Sequence, residues 1–259
     1  MARLTERRSA PVVLGILSFA IILVVWESVA RLGWVNPFFT SQPTAIAKVL
    51  AEEARSGELY HNLSVSLREF ALGFGAAIVV GLILGIMAGR YRTFEYVLDP
   101  FIWLVYSAPL IAFYPIFVIW FGLGTHTVIA ITFLLSVTPV MVHTLSGIKA
   151  VSPELLRAAR SFGATQRELL WKVIFPASVP MVVAGLRLGI GRALTGVVIA
   201  ELFGGTAGLG FSIAYYGGLL KTTNMLASLV VVVALGVLCT QGLSAVEAHF
   251  DSWRTDPGL

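Results

Sequence analysis

Two arginines and one glutamate interrupt an otherwise apolar run between residues 179 and 203: Arg187, Arg192 and Glu201. A charge in hydrocarbon costs about 3 kcal/mol even on permissive insertion scales, so each must meet protein, water or a counter-charge. At about 1.5 Å of rise per residue from Pro180, Arg187 stands about 10 Å deep and Arg192 about 18 Å, near the midplane of a bilayer. A guanidinium at that depth either lowers the barrier for an anion in transit or hydrogen-bonds a neighbouring helix or a second copy of the chain. Residue type alone leaves both open. Arg187 is shallow enough to snorkel and reads as structural. Glu201 is expected near an outer mouth.

Other chemistry is missing from the pattern. His61, His126, His143 and His249 are scattered with no His-Glu-x-x-His, and the single cysteine, Cys239, sits in an apolar run. Neither a metal constellation nor a nucleophile with its base is expected, so the chain reads as no enzyme and as holding no cofactor itself. The run Gly204-Gly205-Thr206-Ala207-Gly208-Leu209-Gly210 lacks the Gly-Lys-Ser/Thr ending of a phosphate cradle and reads as a flexible outer loop. Glu27 and Arg31, four apart, are expected to pair, and His143 to be hydrogen-bonded.

The elements that carry these residues must be membrane helices. Of 259 residues 57% are hydrophobic and only 12% charged, and the mean hydropathy of +0.87 leaves no polar stretch long enough for a soluble domain. One transmembrane domain over residues 1–259 is expected. A crossing helix needs about 20 apolar residues, and six runs qualify, at about 12–32, 67–89, 101–121, 127–147, 179–203 and 225–247. They are continuous rather than alternating, which favours helices over a barrel. The expected fold is all-α: a polytopic membrane protein of six transmembrane helices.

Placing the N-terminus in the cytoplasm puts Arg3, Arg7, Arg8, Arg90, Arg92, Lys149, Arg157, Arg160, Arg167, Lys172 and Arg254 inside, and only Arg31, Lys48, Arg55, Arg68 and Lys221 outside. This asymmetry predicts that both termini are cytoplasmic. The net charge of +4 thereby serves topology and implies no nucleic acid. Pro109 and Pro115 in the third run and Pro139 in the fourth predict kinked or broken helices, which are tolerated where they line a cavity or lie buried in protein. Pro109 and Pro139 join Arg192 and Glu201 as candidates for a translocation path, with packing kinks as the alternative. The loop at about 33–66 is expected to carry one short surface helix, residues 44–54.

A charged loop at about 150–178 separates the fourth and fifth runs. Ser152 can cap a helix, Pro153 suits its first turn, Glu154 favours the positive end of the dipole, and Gly163 supplies a left-handed stop. Thr165 with Glu168 forms a capping box for a second helix, which Pro176 and Pro180 should end. Leu155, Leu156, Ala159 and Phe162 make an apolar stripe beside Arg157 and Arg160, suited to a headgroup surface or to a protein partner.

Ala158-Ala159, Gly163 four residues on, and then Val173, Phe175 and Pro176 resemble the EAA loop of ABC importer permeases, with Arg157 where that loop usually has its leading glutamate. Trp26-Glu27, Ser41-Gln42-Pro43, Trp120-Phe121-Gly122-Leu123-Gly124, Gly185-Leu186-Arg187, and Ala200-Glu201 through Gly208-Leu209-Gly210 look like the branch that imports nitrate, sulfonates, taurine and related molecules. The resemblance implies a cytoplasmic coupling helix at residues 152–165, between spans four and five, seated in a cleft of an ATPase subunit. Its contact set is then Glu154, Leu155, Arg157, Ala158, Ala159, Arg160, Phe162, Gly163, Ala164 and Thr165. Also implied are a second copy of the permease, two cytoplasmic ATP-binding subunits that hold ATP and Mg, and a periplasmic or lipid-anchored solute-binding protein, all at the bacterial inner (cytoplasmic) membrane. The solute would be a small organic or inorganic anion such as a sulfonate, taurine, nitrate or an aromatic acid. An ion-coupled secondary transporter is the alternative, disfavoured because no carboxylate relay is evident and the cytoplasmic helices have no use without a partner that pushes on them.

Overall fold

The structure, a computed structural model, describes residues 10–36 and 38–250, with side chains from 13 to 244; Arg3, Arg7, Arg8 and Arg254 and the side chain of His249 lie outside the described residues. In chain order the helices are α1 (Ala10–Arg31), α2 (Pro43–Ser56), α3 (Glu58–Arg90), α4 (Arg92–Ser107), α5 (Tyr114–Phe121), α6 (Thr125–Lys149), α7 (Pro153–Ser161), α8 (Gln166–Glu168), α9 (Phe175–Gly204), α10 (Leu209–Gly218) and α11 (Thr222–Phe250). Among the described residues five helices are long and apolar enough to cross a membrane, and six spans result if α4 and α5, bent by 90° at their junction, count as one.

Glycine spacing explains why α6 is the axis of the bundle. On α3 small residues recur every fourth position, at Gly73, Ala77, Gly81, Gly85 and Gly89, and α9 repeats the device at Gly185, Gly189, Ala193, Gly196 and Ala200. Both stripes face α6. A Cβ placed on Gly81 would lie 2.9 Å from Val140 Cβ, one on Gly185 2.6 Å from His143 Cβ, and one on Gly196 3.0 Å from the backbone Cα of Thr132. In lipid, apolar burial supplies no drive to bring helices together, so close van der Waals contact through small residues must do so. Between the stripes lies a core of Phe74, Ala77, Val137, Val140, Ile190 and Ala193. It continues toward one end through Val128, Ile131, Val197 and Ala200, and toward the other through Ile148, Val151, Leu169 and Ile174.

Several boundaries differ from the sequence expectation. The loop at 33–66 is mostly helical, because α3 starts at Glu58, ahead of the expected 67, and follows α2 directly through Gly57 at φ 85°. The third run breaks before a short 3-10 turn, Leu110–Phe113, where Pro109 removes a backbone donor and its ring crowds the preceding turn. Pro139, expected to break or kink its span, leaves α6 a single helix. It is buried there with its carbonyl against Gly185, and the packed neighbours on both flanks hold the ladder across the missing donor. Pro176 and Pro180 do not end the helix either. A π turn, Leu169–Ile174, joins α8 to α9, and Phe175 N–H bonds the carbonyl of Leu170, five residues back. The wider turn shifts the register just where a proline would otherwise strike the carbonyl four residues before it.

A Cβ on Gly85 would meet Thr144 Cβ at 2.6 Å and the Met141 carbonyl at 2.7 Å, whereas one on Gly75 meets nothing within 4 Å. Gly85→Ala is therefore expected to destabilise the bundle by about 1–3 kcal/mol and Gly75→Ala to be near neutral, as read by thermal unfolding of the purified chain in detergent.

Candidate functional site

The α7–α8 segment is fixed by its caps. Ser152 Oγ accepts from Leu155 N–H at 3.2 Å, Gly163 takes φ 80° at the stop, and Thr165 and Glu168 bond reciprocally, Glu168 N–H to Thr165 Oγ1 at 3.3 Å and Thr165 N–H to Glu168 Oε2 at 3.0 Å. Lys172 pairs with Glu168 at 2.9 Å. The apolar stripe of α7 divides in two. Leu156, Ala159 and Ala164 pack on Ile148, Val151, Leu169 and Ile174, while Leu155 is 46% and Phe162 93% exposed. Glu154, Arg157, Ala158, Arg160, Gly163 and Thr165 are exposed with them. The Glu154–Arg157 pair at 3.1 Å lies in the open, where such a pair holds a side-chain orientation rather than the fold.

Arg192 stands on the opposite side of α9 from its glycine stripe, on an exposed face with Leu188, Gly191 and Thr195. Among the described residues it makes no hydrogen bond or ion pair. Arg187, also exposed, donates to Ser244 Oγ of α11 at 3.2 Å. Pro109 marks the α4–α5 break and Pro139 is buried inside the α3–α6–α9 packing. The four path candidates therefore do not share one surface of the single chain.

Glu201 is 1% exposed. Its carboxylate accepts from Ser66 Oγ at 2.6 Å and from Gly210 N–H at 2.6 Å, with Glu69 beside it. Ser66 Oγ accepts in turn from Leu209 N–H at 2.9 Å, and Asn62 Oδ1 from Gly208 N–H at 3.0 Å. Three successive backbone donors at the start of α10 thus meet three side chains. Gly208 has φ 113°, and a Cβ there would strike the Glu201 carboxylate. Gly124 N–H also bonds the Gly204 carbonyl at 2.9 Å. The Gly-rich run is accordingly a latch rather than the flexible loop expected, because its donors are satisfied by buried acceptors. His143, expected to be hydrogen-bonded, has a buried Nδ1 with no partner among the described residues, its ring held against Gly185.

A second polar layer closes the same end. Tyr216 OH donates to Glu58 at 2.6 Å, Asn224 Nδ2 to Glu53 at 3.1 Å, and Ser41 and Thr223 hydroxyls meet at 2.9 Å. Burial pushes the Glu53 carboxyl above its ordinary range, against the Asn224 hydrogen bond and with help from nearby Glu58. Arg31 pairs with Glu27 at 2.6 Å as the spacing suggested, and Glu27 also accepts from Thr44 N–H at 3.1 Å, which ties α1 to α2. Among the described residues no group of three or more His, Cys, Asp or Glu gathers as a metal site. Sequence reasoning missed Asn62 and Ser66 because the second span was started too late, and Glu69, just inside the expected span, because its partner Glu201 lies far along the chain. Their spacing of four and three on one helical face was the available signal.

Residues 77–252 match the family described as binding-protein-dependent transport system inner membrane component. The chain belongs to that family. It is 35% identical over 251 residues to the taurine transport system permease protein TauC of Escherichia coli, covering 95% of this chain and 91% of that one. It is 32% identical to the SsuC permease of Bacillus subtilis, named for aliphatic sulfonates, covering 93% and 87%. The folds of an amino acid ABC transporter (TM-score 0.61, 17% identity, 79% of this chain and 98% of that one) and of the inward-facing MetNI methionine ABC transporter (TM-score 0.57, 20% identity, 82% and 99%) are similar to it. The chain is thus a multi-pass permease subunit of the ABC-importer type, a class in which ATP hydrolysis generally belongs to a separate subunit.

Within this permease, Glu201→Ala leaves Ser66 Oγ and the Gly210 N–H buried without an acceptor. A loss of about 2–4 kcal/mol is expected, seen as a lowered melting temperature and reduced yield of folded protein, with a smaller loss for Ser66→Ala.

Proposed function

We propose that this chain works as a pair around a central path, imports a small sulfonate-like anion by alternating access, and is driven through α7 by an ATPase that docks on its cytoplasmic side. The observation that carries the proposal is Phe162. An aromatic ring 93% exposed, at the end of a helix capped at both ends and anchored by its other face, is suited to fill a cleft in a partner. Leu155, Arg157, Ala158 and Arg160 surround it on the same exposed side. The assembly has two copies of the permease, two ATP-binding subunits that hold ATP and Mg, and a solute-binding protein at the opposite face. Both termini then lie in the cytoplasm of the inner-membrane protein, as the distribution of basic residues favours. Alternating access follows when ATP-driven closure of the ATPases favours one of two packings of the spans.

The exposed stripe of α9 suits the path, because it offers Arg192 to a solute while the glycine stripe behind it is occupied by α6. The relatives named for taurine and aliphatic sulfonates favour an anion with a sulfonate group. A relative from Halalkalibacterium halodurans, 27% identical over 92% of this chain and 94% of its own length, is named for formylaminopyrimidine. The sulfonate assignment therefore leans on Arg192 as well as on likeness.

In proteoliposomes with the ATPase and loaded binding protein, Phe162→Glu is expected to cut solute-stimulated ATP hydrolysis by tenfold or more, on the order of a lost hot-spot residue, while the permease still assembles. Import without the ATPase, unaffected by this substitution, would replace the proposal with an ion-coupled transporter. Arg192→Gln is expected to slow taurine uptake about tenfold with Arg192→Lys intermediate. Equal uptake by all three proteins removes Arg192 from the path.

A further inference from the structure

One cavity lies away from both the exposed α9 stripe and the outer latch. It has a volume of about 450 Å³ and sits where α3 ends, α4 begins and α6 ends, lined by Arg90, Arg92 and Lys149 with Glu95, Tyr96 and Gly89 among its walls. Three cations face one carboxylate. Lys149 is ion-paired with Glu95, which leaves the two arginines as the uncompensated charge. Arg92 is held by Nε donating to Tyr96 OH at 2.8 Å and lies over the same ring at 5.6 Å, inside the reach of about 6 Å for such contacts. Arg90 lies 5.5 Å over the Tyr91 ring and donates from Nη2 to Gln166 Oε1 at 2.7 Å. Both guanidinium groups are thus placed by neighbours and keep further N–H donors for a ligand.

The depth of this cavity suggests its ligand. Arg90 is the last residue of a 33-residue helix and Lys149 the last of a 25-residue helix, so the cations stand at the level where two spans leave the hydrocarbon. Tyr91 and Tyr96 stand at the same level, the position of interfacial aromatic residues. Basic pockets between spans on the cytoplasmic side suit phosphate-bearing headgroups, and a guanidinium binds a phosphate through paired N–H donors.

We infer that Arg90, Arg92 and Lys149 form a binding site for a phosphate group, supplied by an anionic lipid headgroup of the cytoplasmic leaflet. The inference rests on the cytoplasmic orientation proposed above. The ammonium of a zwitterionic headgroup finds no free carboxylate here, because Glu95 is already paired. Arg90 touches the ligand on one side and Gln166, the first residue of α8, on the other, so an occupied site also steadies the segment that follows α7.

The test is native mass spectrometry of the assembled permease and ATPase complex with phosphatidylglycerol, phosphatidylcholine and inorganic phosphate as separate probes. Binding is read without ATP turnover or solute, so a negative result leaves the coupling proposal standing. The wild-type complex is expected to hold phosphatidylglycerol about tenfold more tightly than the complex with R92Q and K149Q, and to hold phosphatidylcholine no better than that variant does. Should the double variant not assemble, R92Q alone decides, since it leaves the Lys149–Glu95 pair in place. If inorganic phosphate displaces the lipid from the wild type only, the phosphate site stands and a free phosphate becomes its second source. Equal retention of phosphatidylglycerol by wild type and variant overturns the inference.

Discussion

The near contact of three helix backbones is the constraint on which the rest of this permease depends. With no side chain at Gly81 and Gly85 of α3, or at Gly185 and Gly196 of α9, Val140, Thr144, His143 and Thr132 of α6 lie directly against their neighbours' main chains. A membrane offers no water to expel from such a seam, so its stability comes from contact area. A single methyl group in the seam forces whole helices apart, because packed interiors do not deform smoothly.

Both ends of the bundle hang from this seam. At one end Ile148, Val151, Leu169 and Ile174 form the shelf on which α7 rests by Leu156 and Ala159. At the other, Asn62, Ser66 and Glu201 grip the start of α10. Helix α9, Phe175–Gly204, runs from one end to the other. The π turn before it is the one place along that route where the helical ladder changes register, and π turns inside helices often stand at functional positions.

Arg192 and Glu201 show how one helix separates two polar side chains into different environments. Nine residues make about 2.5 turns, which puts them on opposite faces of α9. Glu201 faces the packed interior, where hydroxyl and amide donors take the place of water around its carboxylate. Arg192 faces outward from the single chain. Glu201 thus serves the packing of the bundle, while Arg192 is left on the exposed face of α9.

Much of this was readable from the amino-acid sequence, and it was the local part. Span-length apolar runs, the Ser152 and Thr165 caps, the Gly163 stop and the Glu27–Arg31 pair all depend on neighbours within a few residues, so residue type and spacing were enough. The membrane class followed from composition, and the helical class from the continuity of the apolar runs. Tertiary structure decided whatever depends on a partner far along the chain. Pro139 does not break α6 because two flanking helices brace it, and Pro176 does not end its helix because a π turn precedes it. The Gly-rich run is a latch because Asn62 and Ser66, well over a hundred residues earlier, supply its acceptors. The stripe on α7 is half anchor and half exposed surface because the shelf beneath it is assembled from α6 and the π turn. Local patterns encode where helices start, stop and cross a membrane; which of their faces meet is set by packing among residues distant in sequence.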